Sequence, residues 1–246
     1  MRADQYLVES GKVSGRDRAG RLIAEGKVFV DGRQILKKSE EIIGGEITII
    51  DDCPYVGRGG LKLEGALTQF SFDPKGLVCA DIGSSTGGFT DCLLQKGAKK
   101  VYAVDSGSDQ LHPSLRADSR VVCMERTNAR HMEQATLGEA VDLAVMDVSF
   151  ISQTLLHPAI ARILKPGGTL ISLIKPQFEV GRSRIGKNGI VKQERDRLAA
   201  VEQVKQSAAL CSLICEDVIS SPIKGGDGNA EYLAKFVLQT GKDSSL

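Results

Sequence analysis

The sequence predicts an α/β protein with a mostly parallel sheet, preceded by a small α+β unit. From Leu77 onward, continuous apolar runs alternate with helix-like segments, which is typical of parallel strands that are buried on both faces. The first ~50 residues instead show two short helical patterns followed by a hairpin signal. Residues 53–60 separate the two patterns and contain one proline and three glycines. We therefore expect domains over 1–52 and 61–246, joined by a linker over 53–60.

Composition limits the classes of protein that the chain can belong to. It has 246 residues, 41% of them hydrophobic and 26% charged, which is ordinary for a globular protein with a sizeable core. The net charge of +1 excludes a uniformly basic nucleic-acid coat but allows a local basic face. The six cysteines form no CxxC pair, so we expect reduced thiols and no metal site. Without a signal sequence or a run of ~20 apolar residues, we expect a cytoplasmic protein with no membrane contact.

The N-terminal pattern predicts two helices and a two-stranded hairpin. The first helix spans Arg2 to Glu9, and the second spans Arg18 to Glu25 with Ser14 as its N-cap. Strands are expected over 28–30 and 46–50, with a turn at Asp31-Gly32 after the first. Clustered cations on and beside the two helices are expected to contact RNA phosphates, although solvated surface charge is the alternative. These cations are Arg2, Lys12, Arg16, Arg18 and Arg21.

The C-terminal pattern predicts seven strands with helices between them. Apolar runs predict strands, and segments with helical spacing predict helices, one of which ends at Pro166-Gly167-Gly168. The strands are expected at 77–81, 101–105, 121–124, 141–147, 169–175, 213–220 and 231–238, and the helices at 61–70, 89–95, 151–164 and 194–209.

A glycine-rich turn follows the first strand of this pattern, in the sequence DIGSSTGGFT over 81–90. Small residues allow the backbone to approach a ligand at this point of an α/β sheet. Asp105 ends the second strand, where a carboxylate suits a ribose diol. By itself such a turn is compatible with NAD, a nucleotide or a methyl donor. Neither the dinucleotide spacing GxGxxG nor the phosphate-binding GxxxxGK[ST] is present.

Four motifs in order resemble the hemolysin A/TlyA family over nearly the whole chain. They are DIGSSTGGFTDCLLQKGAKKVYAVDSG, MDVSFIS, LIKPQFE and SPIKGGDGNAEYL, and the N-terminal RADQYLVESGKVSGRDRAGRLIAEGKVFVDG resembles an S4 RNA-binding domain. The resemblance implies a class I (Rossmann-like) methyltransferase with a seven-stranded sheet, joined to an S4 domain. It further implies S-adenosylmethionine as cofactor, ribosomal RNA or a ribosomal subunit as partner, and 2′-O-methylation of cytidine as the reaction.

The resemblance also assigns site residues. The FtsJ-like catalytic set of Lys-Asp-Lys-Glu falls on Lys62, Asp147, Lys175 and Glu231. Lys175 would act on the 2′-hydroxyl as a base or as a stabilising cation, oriented by Asp147, while Glu231 would position Lys62 or the ribose. Phe178 would stack on a base or lie in the core. The expected cofactor-binding residues are Asp81, Gly83, Ser84, Ser85, Gly87, Gly88, Phe89, Asp105, Asn128 and Asp147.

Two other functions remain open from the sequence. The chain could be an S4-tethered ribosome assembly factor whose methyltransferase fold is inactive, but the complete catalytic set argues against this interpretation. Membrane lysis is suggested only by the family's hemolysin name, and the chain carries no large amphipathic basic helix.

Overall fold

The computed structural model describes residues 1–13, 15–50 and 53–239 of the chain, without the side chain of residue 17. Ser14, the expected N-cap, lies outside the described residues. The chain divides into two compact units, Met1–Pro54 and a larger unit that begins at Tyr55. Most of the predicted linker therefore belongs to the larger unit: Tyr55 is buried, and the Val56 amide donates to Asp91 Oδ2 at 2.8 Å.

The first unit contains two helices and a three-stranded antiparallel sheet around one apolar core. Leu7, Leu22 and Ile23 lie on the buried faces of the helices, and Val28 contributes from the sheet. The second helix begins two residues earlier than predicted, immediately after the extended Gly15. The elements are α1 (Ala3–Glu9), α2 (Arg16–Ala24), β1 (Val28–Val30), β2 (Arg33–Gln34) and β3 (Ile47–Ile49), with strand order β2-β1-β3.

The larger unit is built on a seven-stranded sheet, which confirms the predicted fold class. Among the described strands of this sheet, β10 alone runs in the direction opposite to the others. The strands are β4 (Val78–Ile82), β5 (Lys100–Val104), β6 (Val121–Met124), β7 (Val141–Met146), β8 (Leu164–Ile174), β9 (Leu213–Ser220) and β10 (Tyr232–Leu238), in the order β6-β5-β4-β7-β8-β10-β9.

Helices flank this sheet, and the apolar strands and helix faces form its core. They are α3 (Gly59–Gln69), α4 (Gly88–Gln95), α5 (Pro113–Arg116), α6 (Gln134–Leu137), α7 (His157–Ile163), α8 (Pro176–Glu179) and α9 (Glu194–Ala209). Within the described residues, no helix combines the length and apolar character that crossing a membrane requires.

The sequence placed two boundaries wrongly. The helix predicted over 151–164 begins only at His157, because Pro158 has no N–H to donate and is accommodated in a first helical turn. The strand predicted from residue 169 begins at Leu164. Its pairing with β7 jumps from Leu164 to Thr169, so the Pro-Gly-Gly sequence forms an irregularity within the strand instead of a turn before it.

The order of the strands determines where a ligand can bind. Chain connections run outward in opposite directions from β4 and β7, which are adjacent in the sheet. In open α/β sheets, such a reversal leaves a crevice beyond the carboxyl ends of the strands. The glycine-rich turn after β4 and the loop after β7 both lie at this edge.

Candidate active site

The glycine-rich turn lies directly against the loop that follows β7. Gly83 has a φ of +84°, and a Cβ atom at this position would lie 2.5 Å from the backbone oxygen of Asp147. Any other residue would therefore separate the two loops. Gly87, with a φ of +96°, precedes α4 in a left-handed conformation and packs under the side chains of Leu111 and Leu115. These two glycines set the shape of the crevice.

A cavity of about 470 Å³ occupies the crevice between the carboxyl ends of β4, β5 and β7. Its size is within the range of small-molecule sites. Apolar side chains such as Val104 and Leu156 line it together with a few polar groups. Five of the residues expected to bind the cofactor line this cavity: Gly83, Ser85, Asp105, Asn128 and Asp147.

Asp105 and Asn128 present polar groups to this cavity. The Asp105 carboxylate accepts hydrogen bonds from the amides of Ser85 at 2.8 Å and Gly107 at 2.7 Å. These bonds fix the carboxylate at the mouth of the turn, where it can accept from a diol. Asn128 Oδ1 accepts from the Arg130 amide at 3.1 Å, and its NH₂ group makes no hydrogen bond with the part of the chain that the structure describes.

The other five expected cofactor residues support the cavity from behind instead of lining it. Asp81 is fully buried, and its Oδ2 accepts from the Thr90 amide and hydroxyl at 2.9 and 2.7 Å. Phe89 packs against Gly59, at the start of α3. Asp81 Oδ1 and Ser84 Oγ are buried without a hydrogen-bond partner among the described residues. The remaining two residues are Gly87 and Gly88.

Asp81 is an unusual carboxyl group. Its burial raises its pKa to about 7, and the negative charges of Asp147 and Asp105 add to the rise, while the hydrogen bonds from Thr90 oppose it. Three carboxylates thus converge near one crevice. Such a site favours a ligand that carries positive charge.

Asp147 and Lys175 form an ion pair at the ends of adjacent strands. Asp147 follows β7 and Lys175 follows β8, and Lys175 Nζ lies 2.5 Å from Asp147 Oδ1. The same Nζ donates to Ser149 Oγ at 2.8 Å. Both charged side chains remain partly accessible, with 12% of the Lys175 side chain and 23% of the Asp147 side chain exposed. A ligand can therefore reach the ammonium group without unfolding the loops.

Lys62 and Glu231 form a second ion pair, which is more deeply buried. Lys62 Nζ donates to Glu231 Oε2 at 2.5 Å, and the two side chains are 9% and 3% exposed. Lys62 lies in the first turns of α3 and Glu231 immediately precedes β10. The carboxylate also crowds Gly225, where a side chain would collide with Glu231 Oε1.

The two pairs meet at one edge of the sheet. β10 pairs with β8 so that Tyr232 lies opposite Ile174, which makes Glu231 and Lys175 neighbours one position further along. Both residues line a second cavity of about 340 Å³, which shares Ser149 and Phe150 with the first. The structure thus brings together all four residues of the expected catalytic set beside the glycine-rich crevice.

Two phenylalanines flank this second cavity. Phe150 has a φ of +64°, which is rare for a bulky residue, and its side chain is 93% exposed. Its ring centroid lies 5.3 Å from that of Phe178, at an interplanar angle of 55°. An exposed aromatic ring held in a strained backbone conformation indicates a contact that the free chain does not make. No separate signal in the sequence marks Phe150 beyond its place in MDVSFIS.

A buried carboxylate joins the two loops that carry Asp147 and Lys175. Glu179, in α8, accepts from Ser152 Oγ at 2.5 Å and from the Gln153 amide at 3.0 Å. Burial raises the pKa of Glu179, against these hydrogen bonds. The loop after β7 and the segment after β8 are therefore fastened together behind the ion pair.

The cations expected to bind RNA in the first unit separate into two groups. Arg2 and Arg16 both pair with the buried Asp4, at 3.0 and 2.8 Å, and line a surface cavity of about 800 Å³. Lys37 and Lys38, which the sequence analysis missed, line the same cavity. Lys12, Arg18 and Arg21 lie outside it; Lys12 is exposed, and the two arginines are partly buried.

The described residues contain no cluster of His, Cys, Asp and Glu side chains that could hold a metal ion. None of the six cysteines forms a disulfide, and burial raises the pKa of Cys79 and Cys92 to about 12. Neither thiol is therefore a nucleophile at neutral pH.

Comparison with known proteins gives two family matches along the chain. Residues 55–237 match the FtsJ-like methyltransferase model, and residues 1–47 match the S4 domain model. Each match coincides closely with one of the two structural units.

Relatives align with almost the full chain. The candidate rRNA methyltransferase YqxC of Bacillus subtilis is 44% identical over 235 residues, which are 94% of this chain and 84% of that protein. The 16S/23S rRNA (cytidine-2′-O)-methyltransferase TlyA of Mycobacterium tuberculosis is 40% identical over 242 residues, 97% of this chain and 90% of the relative. A solved structure of a candidate hemolysin from Streptococcus thermophilus, 42% identical, superposes with a TM-score of 0.81 and covers 97% of this chain and 88% of its own.

Proposed function

Because the chain belongs to the hemolysin A/TlyA family of S4-linked FtsJ-like methyltransferases, we propose that it transfers a methyl group from S-adenosylmethionine to a cytidine 2′-hydroxyl of ribosomal RNA. The single observation that carries the proposal is the meeting of the Asp147–Lys175 and Lys62–Glu231 pairs on a cavity that adjoins the glycine-rich crevice. The relatives' names supply the substrate class and the position that is modified.

The crevice is suited to S-adenosylmethionine. Asp105 can accept from a ribose diol, the apolar lining can hold an adenine ring, and the missing Cβ of Gly83 lets the glycine-rich turn pack against the loop that carries Asp147. The carboxylates of Asp81, Asp105 and Asp147 favour the net positive charge of this cofactor. When bound, the cofactor supplies a methyl group on a sulfonium, a ready electrophile.

The four charged residues would prepare the nucleophile. A ribose 2′-hydroxyl is a weak nucleophile at neutral pH, so the site must orient it and accept or stabilise its charge. Lys175 lies where it can hold the 2′-oxygen, and its contacts to Asp147 and Ser149 fix its position. Glu231 lines the same cavity and holds the buried Lys62 through its carboxylate. When the 2′-oxygen gains the methyl group, its proton would pass to the Lys175 amine if that amine is neutral, or to water if Lys175 is an ammonium group.

Lys175 has two possible roles that differ in chemistry. As a neutral amine it would accept the hydroxyl proton, whereas as an ammonium it would stabilise the developing alkoxide by hydrogen bonding. An arginine at this position keeps the positive charge but cannot accept a proton. The Lys175→Arg variant therefore separates the two roles.

The second cavity would receive the target nucleotide. A nucleotide must leave its stack before a buried site can act on it, and aromatic rings stabilise unstacked bases. Phe150 and Phe178 offer such a surface beside Lys175. The basic cavity of the first unit would hold RNA through phosphate contacts that carry no sequence information. Because ribosomal RNA is the substrate, the proposal includes action in the cytoplasm, where ribosomes are made.

The proposal is tested with purified protein, methyl-labelled S-adenosylmethionine and ribosomal RNA from cells that lack the enzyme. Wild-type protein should bind the cofactor in calorimetry and label 2′-O-methylcytidine, while Lys175→Ala should bind the cofactor and fail to label the RNA. Absence of cofactor binding by the folded wild-type chain would overturn the proposal and favour an assembly factor that binds the ribosome without catalysis.

A further inference from the structure

The segment from the end of α8 to the first turn of α9 is strongly basic, although the chain as a whole is nearly neutral. Residues 181–197 carry six basic and two acidic side chains, a net charge of +4 in a chain whose total is +1. The basic side chains are Arg182, Arg184, Lys187, Lys192, Arg195 and Arg197. None of the motifs that predict the active site or the S4 domain falls within this segment.

The cations of this segment are available to a ligand. Arg182, Lys187 and Lys192 are exposed, and their side-chain nitrogens make no hydrogen bond or ion pair with any part of the chain that the structure describes. Arg184 and Arg195 share one acid, Asp196, at 3.9 and 3.8 Å, which is too long for a hydrogen bond. Arg197 differs, because it donates to backbone oxygens of its own segment.

The segment forms a concave surface that continues into the cavity beside Lys175. Arg184, Lys192 and Arg195 line a depression of about 620 Å³. Ile185 lines both this depression and the cavity that contains Lys175 and Glu231, so the two adjoin at this residue. An RNA strand whose target nucleotide lies at Lys175 can therefore place its neighbouring phosphates in the depression.

Asn229 fastens this basic surface to the segment that carries Glu231. Asn229 is buried, its Oδ1 accepts from the Val191 amide at 3.0 Å, and its Nδ2 donates to the Gly189 oxygen at 3.0 Å. It lies two residues before Glu231. The cations are therefore held at a fixed place relative to the catalytic edge, unlike charges on an independent loop.

We infer that Arg184, Lys192 and Arg195 form a second RNA-binding surface, distinct from the first unit, which holds the phosphates that flank the target nucleotide. The inference rests on the proposed function only for the identity of the nucleotide at Lys175. Phosphate oxygens match guanidinium and ammonium donors in charge and hydrogen bonding, and the one acid that Arg184 and Arg195 share lies too far away to occupy their N–H groups. A repeating backbone with one charge per nucleotide fits a depression of about 620 Å³ lined by three cations better than a single small anion does.

The experiment compares two full-length triple variants of equal charge. The test variant carries Arg184→Gln, Lys192→Gln and Arg195→Gln. The matched control carries Lys75→Gln, Lys99→Gln and Lys165→Gln, three exposed lysines at the amino ends of strands, on the opposite edge of the sheet. Both variants are first checked for an unchanged melting temperature and for unchanged S-adenosylmethionine affinity.

Binding is measured by anisotropy with a fluorescein-labelled oligocytidylate of ten nucleotides, over a series of salt concentrations. The test variant should bind at least about 10-fold more weakly than wild type near 0.1 M salt, and its slope of log K against log salt should be shallower by about 2, because single strands lose roughly 0.7 per phosphate contact. The control should lose far less. With ribosomal RNA as substrate, the test variant should show a raised KM for RNA and little change in kcat.

Equal losses in the two triple variants would overturn the inference, since the effect would then follow total charge alone. A further variant with Arg184→Lys and Arg195→Lys should keep most of the binding, because point charges suffice for phosphate contacts. The binding measurement does not need catalysis. If wild type transferred no methyl group but the test variant still lost RNA binding, the proposed function would fail while this surface would stand.

Discussion

Lys62 and Glu231 are 169 positions apart in the sequence, yet their side chains meet at 2.5 Å in the interior of the larger unit. Removing both charges from water is costly, and only their close contact offsets that cost. The arrangement is therefore poorly explained by stability alone. A pair buried beside the cavity that contains Lys175 is better explained by a requirement of the reaction for charge at that place.

Breaking this buried pair should be costly to stability. Lys62→Met or Glu231→Leu should each lower the free energy of unfolding by about 3–5 kcal/mol, because each leaves a buried charge without its partner. The double variant Lys62→Met/Glu231→Leu should recover much of this loss, and it should remain inactive. Urea unfolding of the four proteins measures the cycle.

The exposed pair Lys96–Glu64 provides the matched control for this cycle. Its atoms lie 2.7 Å apart, but the two side chains are 41% and 35% exposed. Lys96→Met should therefore cost no more than about 1 kcal/mol. Similar costs for the exposed and the buried pair would contradict the assigned burial of Lys62 and Glu231.

Lys175 should be necessary for methyl transfer and dispensable for cofactor binding. Lys175→Ala should lower kcat by about 10²–10⁴, the usual effect of losing a proton-transfer group, with little change in S-adenosylmethionine affinity. Lys175→Arg should be equally impaired if the lysine accepts the proton, and substantially active if it only stabilises charge. Single-turnover transfer to ribosomal RNA measures both, with Lys165→Ala as a control on the same strand.

Cofactor affinity should depend on pH through Asp81. Since its pKa is raised to about 7, the carboxyl group is protonated below that pH and negative above it. A cationic ligand favours the negative form, so S-adenosylmethionine affinity should rise as the pH passes from about 6 to 8. Calorimetry should detect proton release on binding near pH 7, and Asp81→Asn should abolish this release. A pH-independent affinity in the wild-type protein would count against this assignment.

In the cofactor-free protein, Asp81 should instead make the folded state less stable as the pH rises. A carboxyl group whose pKa is higher in the folded state than in the unfolded state stabilises the fold at low pH and loses that contribution as the pH rises toward its folded pKa. The unfolding free energy of the free protein should therefore lose the Asp81 contribution between about pH 4 and pH 7. Comparison of wild type with Asp81→Asn isolates this contribution from those of other groups.

Phe150 should be more important for activity than for folding. Its side chain is 93% exposed and its backbone is left-handed, so Phe150→Gly removes strain and little packing. The variant should unfold at nearly the same denaturant concentration as wild type, while its KM for RNA rises about 10-fold or more, as expected for a lost base-stacking contact. Unchanged RNA kinetics in this variant would show that Phe150 does not contribute to RNA binding.

The sequence was sufficient to predict the sheet and the candidate pairs, because these depend on local patterns and on ordered motifs. Apolar runs fix which segments are strands, and strand ends carry Asp147 and Lys175 to one edge. The sequence could not predict which way the side chain of Phe89 points, since this direction depends on tertiary packing. In the structure the ring packs against Gly59, behind the crevice.

The irregular segments were the least predictable part of the chain. Pro166-Gly167-Gly168 has the composition of a turn, yet pairing with β7 keeps it within β8. Loops such as 181–193 have no periodicity from which a position could be inferred. The sequence therefore shows how many cations such a loop carries but not where these cations lie in the fold. The strain at Phe150 likewise follows from the packed loops after β7 and β8, which fix a conformation that local propensity disfavours.

The identity of the methylated atom tests the central claim most directly. A 2′-O-methyl group blocks alkaline cleavage of the adjacent phosphodiester, because the neighbouring hydroxyl that attacks the phosphorus is gone. Ribosomal RNA labelled by the wild-type protein should therefore release its label in alkali-stable dinucleotides with cytidine at the 5′ position. Release of the label in mononucleotides would place the methyl group on a base and contradict the account.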